Sequence, residues 1–223
     1  MTRQTEWHIW NPASECMPRE RLREIQGERL RAVVRRVYEN VPLYRDRMQQ
    51  KGLSPFDINT VDDLKHLPFT EKTDLRDQYP FGLFAAPRRD IVRIQGSSGT
   101  TGKPIVAGYT ARDVDMWAEL MARTLAAAGA TQDDTVQVAY GYGLFTGGLG
   151  AHQGASRIGA MVLPMSSGNT QRQVMLMQDL GVTILCCTPS YAMHLGETIR
   201  DMGIRRSDLR LRAGAFGAEP WTE

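Results

Sequence analysis

The sequence predicts an α/β fold in which a mostly parallel sheet is flanked by helices and preceded by a small helical region. Three observations predict it. Strand and helix patterns alternate after residue 110, the strand segments are apolar along their whole length, and glycines separate them. Continuously apolar strands linked by helices are typical of a parallel sheet that is covered on both faces.

The composition is that of an ordinary globular protein. The 223 residues are 42% hydrophobic and 23% charged, with a formal net charge of +2. So small a net charge gives no reason to expect a nucleic-acid or membrane-surface partner. No apolar run approaches membrane-spanning length, and Cys16, Cys186 and Cys187 lack metal-ligand spacing. We therefore expect a cytoplasmic protein with reduced thiols, in which the adjacent cysteines face opposite sides of a strand.

Residues 1–86 are predicted to form the helical N-terminal region. Apolar positions over 18–38 recur at helical spacing among arginines and glutamates, and a shorter helix is predicted over 43–51. Thr60 precedes Asp63 at the spacing of a capping box, and Thr70 is followed by Thr73-Asp74. Two short capped helical turns are therefore expected after these helices.

Residues 87–223 are predicted to form the α/β domain. Thr110 is predicted to cap a helix that ends at Gly129. Gly-rich residues 141–150 are expected to form a loop. The strands are predicted over 135–140, 160–165, 182–188 and 209–216, and the later helices over 151–158, 170–179 and 189–203.

A segment rich in glycine and hydroxyl side chains lies between two predicted strands, 90–95 and 105–109. It reads Ser97-Ser98-Gly99-Thr100-Thr101-Gly102-Lys103-Pro104. Glycines allow successive backbone N–H groups to point into one concavity, hydroxyls add donors, and lysine adds a mobile positive charge. This combination predicts a cradle for a polyphosphate.

The segment is not a Walker A loop. The required glycine is replaced by Ser97, and Pro104 stands where that motif has Ser or Thr. A run of Gly, Ser and Thr is also typical of a plain surface turn. The lysine and the two flanking apolar strands favour phosphate binding over that alternative.

Three further segments follow predicted strands, where ligands of parallel sheets bind. They are the loop after Tyr140, the loop after Met165, and residues 217–220 after Phe216. Glycines next to Tyr140 and Phe145 would leave room for a flat ring against aromatic walls. Plain core packing is the alternative for each aromatic side chain.

Taken in order, these motifs resemble phenylacetate–coenzyme A ligases of the acyl-adenylate-forming superfamily. The phosphate loop marks the superfamily, and the first and last of the remaining motifs are specific to the phenylacetate branch and its near relatives. The remaining motifs are Tyr140-Gly141-Tyr142-Gly143-Leu144-Phe145-Thr146-Gly147-Gly148, Pro164-Met165-Ser166-Ser167-Gly168-Asn169, Thr188-Pro189-Ser190-Tyr191 and Gly217-Ala218-Glu219-Pro220-Trp221. Gln95-Gly96 departs from the family's His-Ala, and Gln153 stands where the family commonly has Tyr.

The resemblance implies an ATP-dependent reaction in two steps. An aryl-acetate carboxylate attacks the α-phosphate of ATP, and coenzyme A then displaces AMP to give a thioester. It implies that residues 97–103 hold the phosphates with Mg²⁺. It also implies that Gly217, Ala218, Glu219 and Pro220 support the adenine. The aryl-acid pocket is predicted at Tyr140, Phe145, Gly147, Gly148 and Phe216.

The resemblance also implies that the magnesium-binding glutamate, the ribose-binding aspartate and the lid lysine follow Glu223. We therefore expect an incomplete large domain that lacks the lid lysine and forms no thioester alone; its catalytic residues are left unassigned, and a homodimer is expected for the full-length protein. Phenylacetate, a hydroxylated phenylacetate and benzoate remain open as substrates.

A non-catalytic nucleotide-binding module is the alternative function, and a phosphate-loop kinase is disfavoured by the failed Walker spacing. His152 is expected to be structural or to line the pocket, because a carboxylate substrate is already ionised at neutral pH.

Overall fold

The computed structural model describes residues 8–97 and 104–221. The chain divides into two units by spatial grouping. The first, Pro12–Asp113, is called the leader unit here, and the second, Met1–Asn11 with Val114–Glu223, is called the sheet unit. An antiparallel hairpin groups with the helical residues, so this division falls after the predicted domain boundary near residue 86. The predicted domain boundary near residue 86 stays a prediction.

The leader unit is helical up to residue 90, as predicted. Its helices pack around the buried side chains of Val34, Met48 and Ile58. The α-helices are α1 (Pro12–Glu15), α2 (Arg19–Asn40), α3 (Pro42–Gln50) and α4 (Lys72–Asp77), and the 3-10 turns are Pro55–Asp57, Val61–His66 and Arg88–Asp90.

The capping expectation is confirmed at Thr60 and wrong by one residue at Thr70. The Asp63 carboxylate accepts the backbone N–H of Thr60 at 2.8 Å. At α4 the capping residue is Glu71, because its N–H donates to the Asp74 carboxylate at 2.7 Å. The buried Asp74 side chain is fixed in place by two hydrogen bonds of 2.6 Å from Arg47.

The leader unit ends in a hairpin of β1 (Ile91–Gly96) and β2 (Val106–Thr110), which pair antiparallel. At the end of the hairpin next to the glycine-rich segment, Gly96 pairs with Val106. The two predicted strands that flank the glycine-rich segment are therefore confirmed. Thr110 caps the following helix, since its Oγ1 accepts the N–H of Asp113 at 3.3 Å.

The sheet unit alternates helices and strands. Its helices are α5 (Ala111–Ala127, which starts in the leader unit), α6 (Thr146–Ile158), α7 (Thr170–Asp179) and α8 (Pro189–Asp201), and its strands are β3 (Thr135–Val138), β4 (Met161–Pro164), β5 (Ile184–Cys187) and β6 (Ala213–Phe216). The four strands pair parallel in the order β4-β3-β5-β6. The predicted α/β class with a mostly parallel sheet is confirmed.

Helices cover both faces of this sheet. Helices α5 and α6 pack on one face and α7 and α8 on the other. Successive residues of a strand point to opposite faces. Cys186 accordingly lies in the first core and Cys187 in the second, as the sequence predicted. Burial raises the pKa of each thiol to about 12, so both are protonated at neutral pH.

The expectation of a loop over 141–150 is wrong in its second half. Helix α6 begins at Thr146, so three of the five glycines are helical. The reason is packing, because a Cβ on Gly150 would lie 2.9 Å from Nε1 of Trp117 on α5. Glycines let these two helices approach closely, although glycine is a poor helix former. The last strand is also shorter than predicted and starts at Ala213.

No helix in the described part of the chain has the length and apolar character that spanning a bilayer requires.

Candidate functional site

The carboxyl ends of the four parallel strands meet at one edge of the sheet, which is the edge where ligands of such sheets bind. A cleft of about 370 Å³ lies at this edge. Its lining residues are Ala139, Tyr140, Gly141, Ser167, Thr188, Ser190, Tyr191 and His194. They follow β3, β4 and β5, so the topology brings together segments that are 50 residues apart in the sequence.

Tyr140 connects the cleft with the segment after β6. Its hydroxyl donates a long hydrogen bond of 3.4 Å to the carbonyl of Gly217. Burial raises the pKa of Tyr140 to about 12, so the hydroxyl keeps its proton at neutral pH. Gly147 lies against the ring, since a Cβ there would be 3.4 Å from two ring carbons. Tyr140, Gly147 and Gly217 therefore lie together, and their assignment to an aryl-acid pocket and an adenine site stays a prediction.

Gly148 is the point at which α6 touches the loop after β3. A Cβ on Gly148 would lie 2.6 Å from the carbonyl oxygen of Gly141, which lines the cleft. A larger residue would push this backbone aside. The two predicted pocket glycines thus act through helix placement, one against Tyr140 and one against Gly141.

The two predicted pocket phenylalanines do not line this cleft. Phe145 directly precedes α6 and is 56% exposed. Phe216 packs against the core under α7 and α8, and its ring meets Trp221 edge to face at 5.7 Å. A contact of either ring with an aryl acid stays a prediction.

The segment that the resemblance assigns to adenine is tied to the start of α8. The Glu219 carboxylate accepts the backbone N–H of Ser190 at 3.0 Å and the Ser190 hydroxyl at 2.9 Å. These bonds from Ser190 hold the pKa of Glu219 below its usual value. Ala218 adopts a left-handed backbone with φ of +74°. Residues Gly217, Ala218, Glu219 and Pro220 thus form a fixed rim beside Tyr140, and adenine binding there stays a prediction.

Sequence reasoning missed part of the cleft wall. Tyr191 donates to the carbonyl of Gly168 at 3.4 Å, and its ring centroid lies 6.1 Å from that of His194. Nothing in the local sequence pattern around His194 indicates a place in a binding site. The available signal was Thr188-Pro189, which starts a helix directly after the buried strand β5 and so directs the first turn of α8 to the ligand edge.

His152 has one polar neighbour, the hydroxyl of Tyr142, at 3.3 Å from Nδ1. Burial raises the pKa of Tyr142 to about 12. His152 does not line the cleft, and the contact fits the expected structural role.

Ser97 is the one residue of the predicted phosphate loop, 97–103, that lies within the described residues. It extends the strand pairing by one residue at the start of the connecting segment. Its hydroxyl accepts the N–H of Ile105 at 3.1 Å, and its own N–H donates to the Ile105 carbonyl at 3.1 Å. Ser98, Gly99, Thr100, Thr101, Gly102 and Lys103 lie outside the described residues. Phosphate binding at this loop stays a prediction.

Across residues 8–97 and 104–221, no three His, Cys, Asp or Glu side chains are grouped so that they could hold a metal ion. We therefore assign no residue of this part to Mg²⁺.

The chain is similar in sequence to curated phenylacetate-coenzyme A ligases. It is 52% identical over 215 residues to that of Thermus thermophilus, covering 96% of this chain and 48% of the relative. It is 53% identical over 202 residues to that of Pseudomonas putida, covering 91% and 46%. The resemblance to phenylacetate-coenzyme A ligases is confirmed. The chain spans about half the length of the curated relatives that it matches. No family model matches it.

Solved structures support the same fold for this ligase-like chain. A 2-hydroxyisobutyryl-CoA ligase in complex with 2-HIB-AMP and CoA superposes with a TM-score of 0.88 at 29% identity, covering 99% of this chain and 53% of that one. The same ligase in its thioester-forming state gives a TM-score of 0.89 at 30% identity, covering 99% and 48%. The fold of the chain is that of adenylate-forming CoA ligases.

Proposed function

We propose that this chain is part of an AMP-forming phenylacetate–coenzyme A ligase, which activates an aryl-acetic acid with ATP and transfers it to coenzyme A in aromatic-compound catabolism. The carrying observation is the identity of 51–53% to four curated ligases of this name over at least nine-tenths of the chain. The cleft at the carboxyl edge of the sheet supports it, because that is where the proposed substrates would bind.

The proposed reaction has two balanced steps. A carboxylate oxygen of the acid attacks the α-phosphorus of ATP, the new P–O bond forms, and pyrophosphate leaves. The sulfur of coenzyme A then attacks the acyl carbon, the thiol proton is lost to solvent or a base, and AMP leaves. The first step brings two anions together, so the protein must supply N–H donors and positive charge and hold both reactants in line.

In this proposal the aryl group lies against Tyr140, and Gly147 and Gly148 let α6 pack closely behind Tyr140 and Gly141. A contact of Phe145 or Phe216 with the aryl group stays a prediction, since neither ring lines the cleft. Protonated Tyr140 offers an uncharged ring and a hydroxyl that is already bonded to Gly217. The acid therefore binds beside the rim that would support adenine, which is the arrangement that an acyl-adenylate requires.

The rim residues 217–220 are proposed to lie against the adenine ring. The two hydrogen bonds from Ser190 fix Glu219 before any ligand binds. A rim that is already ordered loses less conformational entropy on binding.

The phosphates of ATP are proposed to bind the backbone N–H groups and hydroxyls of residues 97–103, with Lys103 as the point charge. Magnesium would arrive with the triphosphate, and we derive no step through it. The proposal further includes a homodimer in the cytoplasm that acts on small molecules.

The deciding experiment measures ATP–pyrophosphate exchange by the purified product of the complete gene that contains this sequence. We expect exchange that depends on phenylacetate and is much weaker with acetate, because acetate has no ring to fill the cleft. Mass spectrometry of the same reaction with coenzyme A should detect phenylacetyl–coenzyme A.

Two outcomes would contradict the proposal in different ways. Equal exchange with phenylacetate and acetate would remove the aryl pocket. Tight ATP binding without exchange in the presence of any carboxylic acid substrate would favour the alternative, a nucleotide-binding module without catalysis.

A further inference from the structure

Two glutamine side chains are completely buried beneath the cleft. Gln137 lies in the middle of β3 and Gln173 lies on α7, and both have an exposed fraction of 0%. The neighbours of Gln137 on the strand, Val136 and Val138, point into the core under α5 and α6. Strand alternation therefore turns Gln137 toward α7. A buried amide is costly unless it is hydrogen-bonded, so a pair of them needs an explanation.

The two amides form one chain of hydrogen bonds that ends on a turn. Nε2 of Gln137 donates to Oε1 of Gln173 at 2.9 Å. Nε2 of Gln173 then donates to two carbonyls, of Ser166 at 2.9 Å and of Gly168 at 3.0 Å. An amide nitrogen carries two protons, and here both are used on the same turn. The two carbonyls also fix the orientation of the Gln173 amide, because only its NH₂ group can donate to them.

The turn that receives these bonds, Ser166–Asn169, has an unusual backbone. Ser166 has a φ of +62°, Gly168 of +88° and Asn169 of +48°. Residues other than glycine adopt this region rarely, and they remain there only when the surrounding structure holds them. The bonds from Gln173 supply that support, together with the bond from Ser166 N–H to the Val138 carbonyl at 3.1 Å.

The same turn forms part of the cleft wall. Ser167, at its centre, lines the cleft, and Tyr191 from the opposite wall donates to the Gly168 carbonyl. A shift of the turn would therefore move Ser167 and release Tyr191 together. Among the hydrogen bonds described above, the amide chain is the side-chain connection from β3 to this turn, and the bond from Ser166 to Val138 is the backbone connection.

We propose that Gln173, supported by Gln137, is a positioning residue that fixes the Ser166–Asn169 turn and so sets the shape of the cleft for an aryl acid and its adenylate. The identity of the ligand rests on the proposed function, and the positioning of the turn does not. Because both side chains are neutral amides, this support of the turn does not depend on the ionisation of either residue. A carboxylate at position 173 would instead place acceptors against two carbonyl oxygens.

The test replaces Gln173 by methionine, which has nearly the same shape but donates no hydrogen bond. The matched control is Gln178→Met, an exposed position on the same helix. Hydrogen–deuterium exchange at the Ser166 N–H, which is bonded to the Val138 carbonyl, should become faster in Gln173→Met, while residues of β5 keep their protection. The affinity for a non-hydrolysable phenylacetyl-adenylate mimic should fall roughly tenfold, since small displacements of positioning groups carry large costs.

Gln137→Met provides the second variant, in case Gln173→Met does not fold. It leaves both bonds to the turn in place and removes the donor to Gln173, so its effect on exchange at Ser166 should have the same sign and a smaller size. The double variant should be no worse than Gln173→Met alone, because the two residues act through one chain.

The outcomes separate the two proposals. Unchanged exchange at Ser166 in Gln173→Met, or loss of protection spread evenly over the sheet unit, overturns the positioning role. Faster exchange at the turn with no binding of the mimic by the wild-type protein keeps the positioning role and contradicts the aryl ligand.

Discussion

The amino and carboxyl edges of the parallel sheet, where its strands begin and end, use polar groups in opposite ways. At the amino edge, Asp134 accepts hydrogen bonds from Arg212 at 2.6 and 3.1 Å, from the Thr183 hydroxyl at 2.7 Å and from the Thr131 N–H at 2.8 Å. Its side chain is 5% exposed. These residues precede β3, β5 and β6, so one carboxylate ties three strand starts together.

At the carboxyl edge the polar groups surround a cleft. Tyr140, Ser167 and Ser190 present hydroxyls there. The hydrogen bonds that hold these segments involve neutral amides and the carboxylate of an exposed glutamate. A closed network stabilises the fold, whereas an edge that keeps open space and hydroxyl groups can bind a ligand. The difference teaches that a closed polar network and an open cleft occupy separate ends of the same strands, and the proposed division between stability and ligand binding can be tested by substitutions at each end.

The largest effect is expected for Asp134→Asn. The substitution removes the charge that Arg212 faces and disturbs three strand starts, so the free energy of unfolding should fall by about 2–3 kcal/mol. Chemical denaturation measures it, and ligand affinity of the remaining folded protein should be unchanged. Asp133→Asn, at the exposed neighbour, is the control. A loss below that of the control would show that the network contributes nothing.

The next effect is expected for Gly148→Ala at the carboxyl edge. The new Cβ would approach the Gly141 carbonyl to 2.6 Å and displace the cleft wall. Overpacking of this kind costs about 1–3 kcal/mol, part of which is regained because alanine favours a helix. Calorimetry should therefore show a larger loss of aryl-acid affinity than of stability. Gly143→Ala, with no atom within 4 Å of the new Cβ, should change neither.

Lowering the pH should reduce the contribution of Asp134 to the free energy of unfolding, by less than Asp134→Asn does. Burial raises the pKa of Asp134, but the bonds from Arg212, Thr183 and Thr131 outweigh it and lower the pKa overall. A carboxyl whose pKa is lowered on folding stabilises the protein above its unfolded value, about 3.9, and loses this contribution as the pH falls through the folded value. The protonated group keeps some hydrogen bonds, so the loss is smaller than in Asp134→Asn.

The measurement for this prediction is the difference in unfolding free energy between wild type and Asp134→Asn from pH 6 to pH 2.5. The difference should shrink below pH 4. Glu119, whose pKa is lowered to about 2 by bonds that include Asn11, Trp10 and Arg123, acts in the same direction and cancels in this comparison. A difference that stays constant with pH would contradict the assignment to the Asp134 charge.

The smallest effect is expected for Ser190→Ala. It removes the hydroxyl bond to Glu219 and leaves the backbone bond, so the rim 217–220 loses one of two attachments. Affinity for ATP should fall roughly two- to fivefold, as expected for one exposed hydrogen bond. Titration calorimetry detects it, with Ser207→Ala as the control. Unchanged affinity would indicate that the rim does not contact the nucleotide.

Much of the fold could be predicted because it depends on local patterns. Apolar runs such as Ile184–Cys187 and capping residues such as Thr60 and Thr110 fix the element type within a few residues of sequence. The motifs around Tyr140 and Gly217 also indicated which loops would form the candidate site, since parallel strands place their carboxyl ends at one edge.

The failures lay where distant residues decide. Residues 146–150 looked like a loop because glycine disfavours helix locally, yet close approach of α5 and α6 selects helix there. Phe145 and Phe216 looked equivalent to Tyr140 as pocket aromatics, but Tyr140 alone of the three lines the cleft. Nothing in the local pattern distinguishes a ring that faces a cleft from one that faces solvent or core.

The sequence by itself determined the α/β class, the order of strands and helices, and the kinship with phenylacetate-coenzyme A ligases, because periodicity, capping and motif spacing are properties of neighbouring residues. Only the tertiary structure decided the pairing of Gln137 with Gln173 and the bond from Ser190 to Glu219. Each of these contacts joins side chains about 30 residues or more apart, and chain packing alone brings them within hydrogen-bonding distance.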